Sequence, residues 1–287
     1  MIKIISDDAC DLTKEELKKY DVDIVNFKIS DEDGNDIENV EKLYQMELEN
    51  PKMRFFSACP SVDEYYQLFR TYAEKGYDIV SVSISAQFSG SHNSASVAAD
   101  MIREEFENVK ILAVDSMKNS ATQGLFVINL ATMAQRGKSF EEIKEYIEKD
   151  PDGGKIFFTV GNLDYLIAGG RIGKLKGLVA NKLNIKPIIT MKDGVLNSGG
   201  FGLGIKNTFN KLIDMAKAYF EKTKENIKEF MFCVGYGCEK ENGLNFFELV
   251  KTRLGIADDK IKLNQIGSTT IVHTGPHTYG FAFIKCV

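Results

Sequence analysis

Short apolar runs alternate, along the first half of the chain, with stretches whose apolar positions recur at helical spacing. The runs "IKII" at 2–5, "VDIVNFKI" at 22–29, "YDIVSVSIS" at 77–85 and "VKILAVDS" at 109–116 predict strands. Helices are predicted over 13–20, 61–76, 90–106, 120–137 and 139–150. Two of them carry capping boxes, Thr13 with Glu16 and Ser61 with Glu64, whose side chains satisfy the N–H groups that open a helix. Strands alternating with helices imply a mostly parallel sheet with helices on its faces. "DPDGG" at 150–154 is the best linker, and beyond it the pattern loosens. Strands are predicted at 155–161, 185–191, 229–237 and 280–286, and helices at 205–224 and 239–254. The expected fold class is α/β in two domains. Residues 1–153 form the parallel sheet flanked by helices, and 154–287 form a mixed α+β domain.

Composition narrows the function classes. The 287 residues are 44% hydrophobic and 27% charged, which suits a globular chain with a sizeable core. A net charge of −5 and a pI near 5.5 argue against a nucleic-acid partner. No stretch approaches the ~18 apolar residues of a membrane span. The start, "MIKIISDDACDLT", turns acidic at Asp7 and does not resemble a secretory signal. Cys10, Cys59, Cys233, Cys238 and Cys286 are scattered and odd in number, which predicts reduced thiols in a cytoplasmic protein and no structural zinc.

Several motifs fail on spacing. "GGFGLG" at 199–204 puts the third position of a dinucleotide loop on Ile205, and "GGRIGKL" at 169–175 lacks the Ser or Thr that follows the lysine of a phosphate loop. No nucleotide cofactor is expected. Two of the three histidines, His273 and His277, stand four apart, but Gly275–Pro276 between them disfavours one helix face, and no acidic residue is close by. A metal site is therefore not expected. Cys59 in "SACPS" reads either as a nucleophile served by a distant histidine or, more commonly, as a small buried hydrophobe.

Three small-polar turns remain: "SACPS" at 57–61, "SISAQFSGS" at 83–91 and "DSMKNSATQG" at 115–124. In a parallel sheet, loops at the carboxyl ends of the strands form the ligand site. Ser89, Gly90 and Ser91 open a helix at such an end, where unpaired N–H donors and the positive dipole end suit an anion. Taken alone, Ser89 or Ser91 reads equally as an N-cap.

In order along the chain, "ISDDACDL", "SACPS", "SISAQFSGSHNSA", "LDYLIAGGRIGKL", "NIKPII" and "IGSTTIVHTGPHTYG" resemble the motifs of the DegV family of fatty-acid-binding proteins. The resemblance covers nearly the whole chain. It implies two domains with an acyl chain held in the interdomain region. It also implies a separate partner, the catalytic subunit of a bacterial fatty acid kinase, which makes acyl phosphate for phospholipid synthesis. The chain would then be a non-catalytic lipid carrier that leaves room for transient contact with a membrane surface. Carried over residue by residue, Ser57 and Ser89 supply hydroxyls, Gly90 a backbone N–H and His273 an imidazole to the carboxylate. Arg171 either orders the cleft or pairs at the surface. The chain departs from the family at Ser57 and Cys59, where Thr and Gln are usual, and at His277, where the family has Gly. It also lacks the family's basic cluster after the "KPIL" strand; "NSGGFGLGIKN" holds only Lys206. His277 is expected at the periphery, near the mouth.

A chain of ~16 carbons has about 14 methylenes, worth ~0.8 kcal/mol each, so roughly 11 kcal/mol gross before binding costs. "GLFVINLATMA" and "KIFFTV" offer apolar material for a tunnel, although such spacing equally marks core. Two other readings compete: an acyl hydrolase using Cys59 or Ser89 with His273, and a carrier for another apolar ligand such as a sterol or retinoid. Against the hydrolase, no Gly-x-Ser-x-Gly elbow is present.

Overall fold

A computed structural model describes residues 1–50, 53–149, 153–175 and 184–287. Most of the proposed linker, 150–152, lies outside the described residues.

The first sheet is parallel, in the order β2-β1-β5-β6, with β1 Ile2–Asp7, β2 Val22–Val25, β5 Asp78–Ser83 and β6 Ile111–Asp115. Helices α3 (Val62–Ala73) and α4 (Ser91–Glu105) pack on one face through Tyr65, Phe69, Ala95, Ala99 and Ile102. Both predicted capping boxes form: Glu16 N–H donates to Thr13 Oγ1 at the start of α1 (Lys14–Tyr20), and Glu64 N–H to Ser61 Oγ at α3.

The second sheet is mixed, in the order β11-β10-β12-β7-β8-β9. Strands β10 (Phe230–Tyr236) and β11 (Ile261–Gln265) run parallel, while β12 (Tyr279–Lys285), β7 (Lys155–Thr159), β8 (Ile185–Lys192) and β9 (Val195–Leu203) join antiparallel. Its outer face carries α8 (Gly204–Thr223) and α9 (Lys240–Leu254) over an aromatic cluster that includes Phe209, Phe246, Phe281 and Phe283. The glycines of "GGFGLG" run into β9 and open α8, so they form no nucleotide loop.

Helix α5 (Ser120–Gln135) lies between the two sheets, touching β1 on one side and β10 and β12 on the other, and the shorter α6 (Phe140–Lys149) packs back on it. It is buried around most of its circumference, and largely apolar, because both sides are covered. Its segment "GLFVINLATMA" lines none of the cavity described below; most of it is core, while Phe126 and Met133 border a separate cavity of about 470 Å³.

One predicted strand divides. Residues 22–29 hold β2, in the parallel sheet, and part of β3 (Lys28–Asp31), which pairs antiparallel with β4 (Phe55–Ala58) in a separate two-stranded sheet. The break has a local cause: Phe27 N–H donates to Asp8 Oδ1, 3.3 Å away, instead of extending the β1 ladder. β4, α2 (Val40–Glu49), α7 (Asp164–Ala168), β9, β11 and α10 (Ser268–Thr274) were not anticipated; α7 and α10 are short, α10 abuts a Gly-Pro turn, and β9 is rich in glycine.

Candidate functional site

A cavity of about 340 Å³ opens where the carboxyl ends of the parallel strands meet α10, α7 and β9. From the first half it takes Phe27, Ile84, Phe88 and Asn119, together with the 57–59 and 89–90 turns. From the second half come Phe158, Leu166, Leu196, Arg171 and the inward side of α10. Of the "KIFFTV" stripe, Phe158 is the residue that reaches this cavity. Ser57, Ser89, Gly90, Arg171 and His273 all line it, so folding brings together residues up to 216 positions apart.

Each polar group has a specific anchor. Ser57 is on β4, and its Oγ lies 2.8 Å from His273 Nε2. His273 is on the last turn of α10, which stops where Gly275 takes φ 78° and returns its N–H to Ile271 O. Gly169 backs the imidazole so closely that a Cβ there would stand 2.5 Å from Nδ1. Among the described residues, Nδ1 has no hydrogen-bond partner. Burial, and then the charge of Arg171, lower the His273 pKa to about 4, so the ring is neutral at pH 7.

Arg171 Nε donates to Phe88 O at 3.1 Å, and Nη1 donates to Gly169 O. Among the described residues no carboxylate pairs with it. A half-buried guanidinium therefore faces the cavity with donors to spare.

Ser89 precedes α4, with Gly90 as the N-cap residue. Its Oγ accepts from Ser91 N–H at 3.1 Å, which is a capping role, yet its own hydroxyl proton stays available. Ser91 turns inward, where it donates to Asp7 Oδ2 at 2.6 Å and meets Tyr65 Oη at 2.7 Å. Asp7 thus ties the start of α4 to the end of β1.

One expectation is corrected: Cys59 is exposed at the cavity wall, not a buried hydrophobe. His277 is peripheral, as expected, though it does not line the cavity; its Nδ1 lies 3.3 Å from Glu239 Oε2, an oxygen that also accepts from Tyr279 Oη. The hydrolase reading fares poorly, because Nε2 of His273 is taken by Ser57 rather than Cys59 or Ser89, and among the described residues no carboxylate orients Nδ1. Among the described residues no group of three or more His, Cys, Asp or Glu could hold a metal ion, and no helix is long and apolar enough to cross a membrane.

Sequence reasoning missed Asn119 and Leu196 as wall residues, and the carboxylates that hold α10. Asn119 lay within a polar turn already singled out; Leu196 gave no signal, because the β8–β9 hairpin reaches the cavity only through the fold.

The DegV family model, described as "Uncharacterised protein, DegV family", matches residues 1–286. A DegV domain-containing protein of Clostridium acetobutylicum is 31% identical over 294 aligned positions, covering 99% of both chains. A solved structure from Eubacterium ventriosum, named as a stearic acid-binding protein, is 37% identical with a TM-score of 0.91, over 99% of this chain and 98% of its own. A DegV family protein from Thermus thermophilus shares the fold at 23% identity and a TM-score of 0.86, with 99% of each chain covered. Matched from end to end by its model, the chain belongs to the DegV family.

Proposed function

We propose that the chain binds a long-chain fatty acid between its halves and presents the carboxylate to a separate kinase subunit for acyl-phosphate formation. The observation that carries the binding step is the cavity itself: apolar walls converging on a Ser57–His273 pair and an Arg171 with no carboxylate partner among the described residues. A volume of about 340 Å³ is within the roughly 300–1,000 Å³ usual for small-molecule sites. The stearic acid named for the Eubacterium ventriosum structure supports the ligand class.

In this reading His273 donates from Nε2 to Ser57 Oγ, which frees the Ser57 proton for one carboxylate oxygen. Ser89 and the Gly90 N–H serve the other oxygen, and Arg171 supplies the charge. Several charge-assisted bonds are what a carboxylate needs on leaving water. The domains are proposed as 1–153 and 154–287, with a cytoplasmic setting.

Titration with stearate against stearyl alcohol tests the head-group assignment. Stearate should bind at least about tenfold tighter, the equivalent of roughly 1.4 kcal/mol. Equal affinities would mean that the polar cluster does not read the carboxylate. For presentation, acyl phosphate should form from ATP and oleate only when this chain and the kinase subunit are both present; equal formation by the kinase alone would remove that step.

A further inference from the structure

The helix that carries His273 is held at its other end by carboxylates of the first half. Asp8 and Asp11 sit in and just after the turn that follows β1. Asp8 accepts from Thr269 Oγ1 at 3.1 Å, and Asp11 Oδ1 accepts from Gly267 N–H, the N-cap residue of α10, at 2.8 Å. Asp11 Oδ2 accepts from Ser120 Oγ at the start of α5, and Asp8 Oδ1 also accepts from Phe27 N–H. One acidic turn thereby joins β1, α5, the β2–β3 crossing and α10.

We propose that this turn is a proton-sensitive latch, with Asp8 and Asp11 as positioning residues that hold α10, and through it His273, against the first half.

The groups facing the latch from each neighbouring element explain the sensitivity. β1 contributes Asp7, a third carboxylate, and the turn itself contributes the Cys10 thiol. α3 contributes the Tyr65 phenol and β10 the Cys233 thiol. α5 offers only the uncharged Ser120 and Gln123. α1 contributes Glu16, and β11 contributes Lys262, but these two already pair with each other. His273 is neutral and stands at the far end of α10. Among the described residues no cation pairs with Asp7, Asp8 or Asp11.

Burial first, and the neighbouring carboxylates second, raise both Asp8 and Asp11 to about 7 from an ordinary 3.8. A raised acid binds protons in the closed form that it releases when detached. The latch therefore contributes fully below about pH 4 and loses that contribution as pH rises through about 7. Above that, two like charges are held in a buried seam.

The latch is independent of the ligand; only its effect on affinity rests on the fatty-acid reading. Amide hydrogen exchange of 268–274 in the full chain, corrected for intrinsic rates, tests it directly. Between about pH 6 and pH 8.5, protection should fall about tenfold for each group that ionises. Asp8→Asn with Asp11→Asn should flatten that dependence. Asp8→Ser alone should halve it on a logarithmic scale, which keeps the test open if the double variant does not fold. Protection that is equal at both pH values, or that falls as steeply in Asp8→Ser as in the wild type, would overturn the proposal. Stearate affinity over the same range should weaken with rising pH in the wild type and not in the Asn variant. If stearate does not bind at any pH, the ligand reading fails while the exchange result still decides the latch.

Discussion

At the level of single residues, His273 and His277 play unequal parts. They are four residues apart, yet one lines the cavity against Ser57 and the other pairs with Glu239 at the surface. His277→Gly, which installs the family's residue, should leave stearate affinity within about twofold. Ser57→Ala removes a hydrogen bond to a charged group and should weaken binding by about 1.5–3 kcal/mol, roughly 10- to 150-fold, with little change in melting temperature. Loss of affinity in His277→Gly equal to that in Ser57→Ala would show that the cavity assignment is misplaced. His273 should also report its ligand. It titrates near about 4 in the free protein, and an adjacent carboxylate favours the charged ring, so its NMR titration should move upward when stearate binds. Because its folded pKa is depressed below 6.5, its contribution to stability is present above about pH 6.5 and is lost as pH falls through about 4.

At the scale of elements, much was legible. The capping boxes of α1 and α3, the four parallel strands and the largely apolar α5 each follow from local patterning that the fold does not override. What sequence could not show was where a segment changes partner. The apolar–polar alternation in 22–29 slips phase at Ile24–Val25, and there the Asp8 carboxylate captures the Phe27 N–H and the chain passes into a second sheet. α10 was hidden because its seven residues end at Gly275–Pro276, which reads as turn. The site was legible as residue types and through family resemblance, whereas the Ser57–His273 contact spans 216 positions and leaves no local trace. One substitution probes how α7 and α10 are fitted together. Gly169→Ala keeps an ordinary backbone, with φ at −74°, but its Cβ would press on His273 Nδ1. The variant should fold, with stearate affinity reduced by at least about tenfold through the displaced ring, because overpacking costs roughly 1–3 kcal/mol. Undiminished affinity would mean that His273 need not hold its position.

At the scale of the whole molecule, the two halves meet along a seam of polar contacts beside the α5 core. Ser85 Oγ donates to Gly194 O at the tip of the β8–β9 hairpin, Arg171 Nε to Phe88 O, and Lys262 pairs with Glu16. At Gly194, φ is +73° and a Cβ would stand 2.8 Å from Ser85 Oγ, so a side chain there strains the hairpin tip and displaces the Ser85 hydroxyl from Gly194 O. The central claim is that this seam encloses a fatty acid held without a covalent bond, and native mass spectrometry of the purified protein addresses it most directly. The account predicts a mass excess matching one long-chain fatty acid, lost on denaturation and recovered in the organic extract, or uptake of one equivalent of added stearate by protein that arrives without it. Protein that carries no such ligand and takes up no stearate, or one whose added mass survives denaturation as an adduct on Cys59, Ser57 or Ser89, would contradict it.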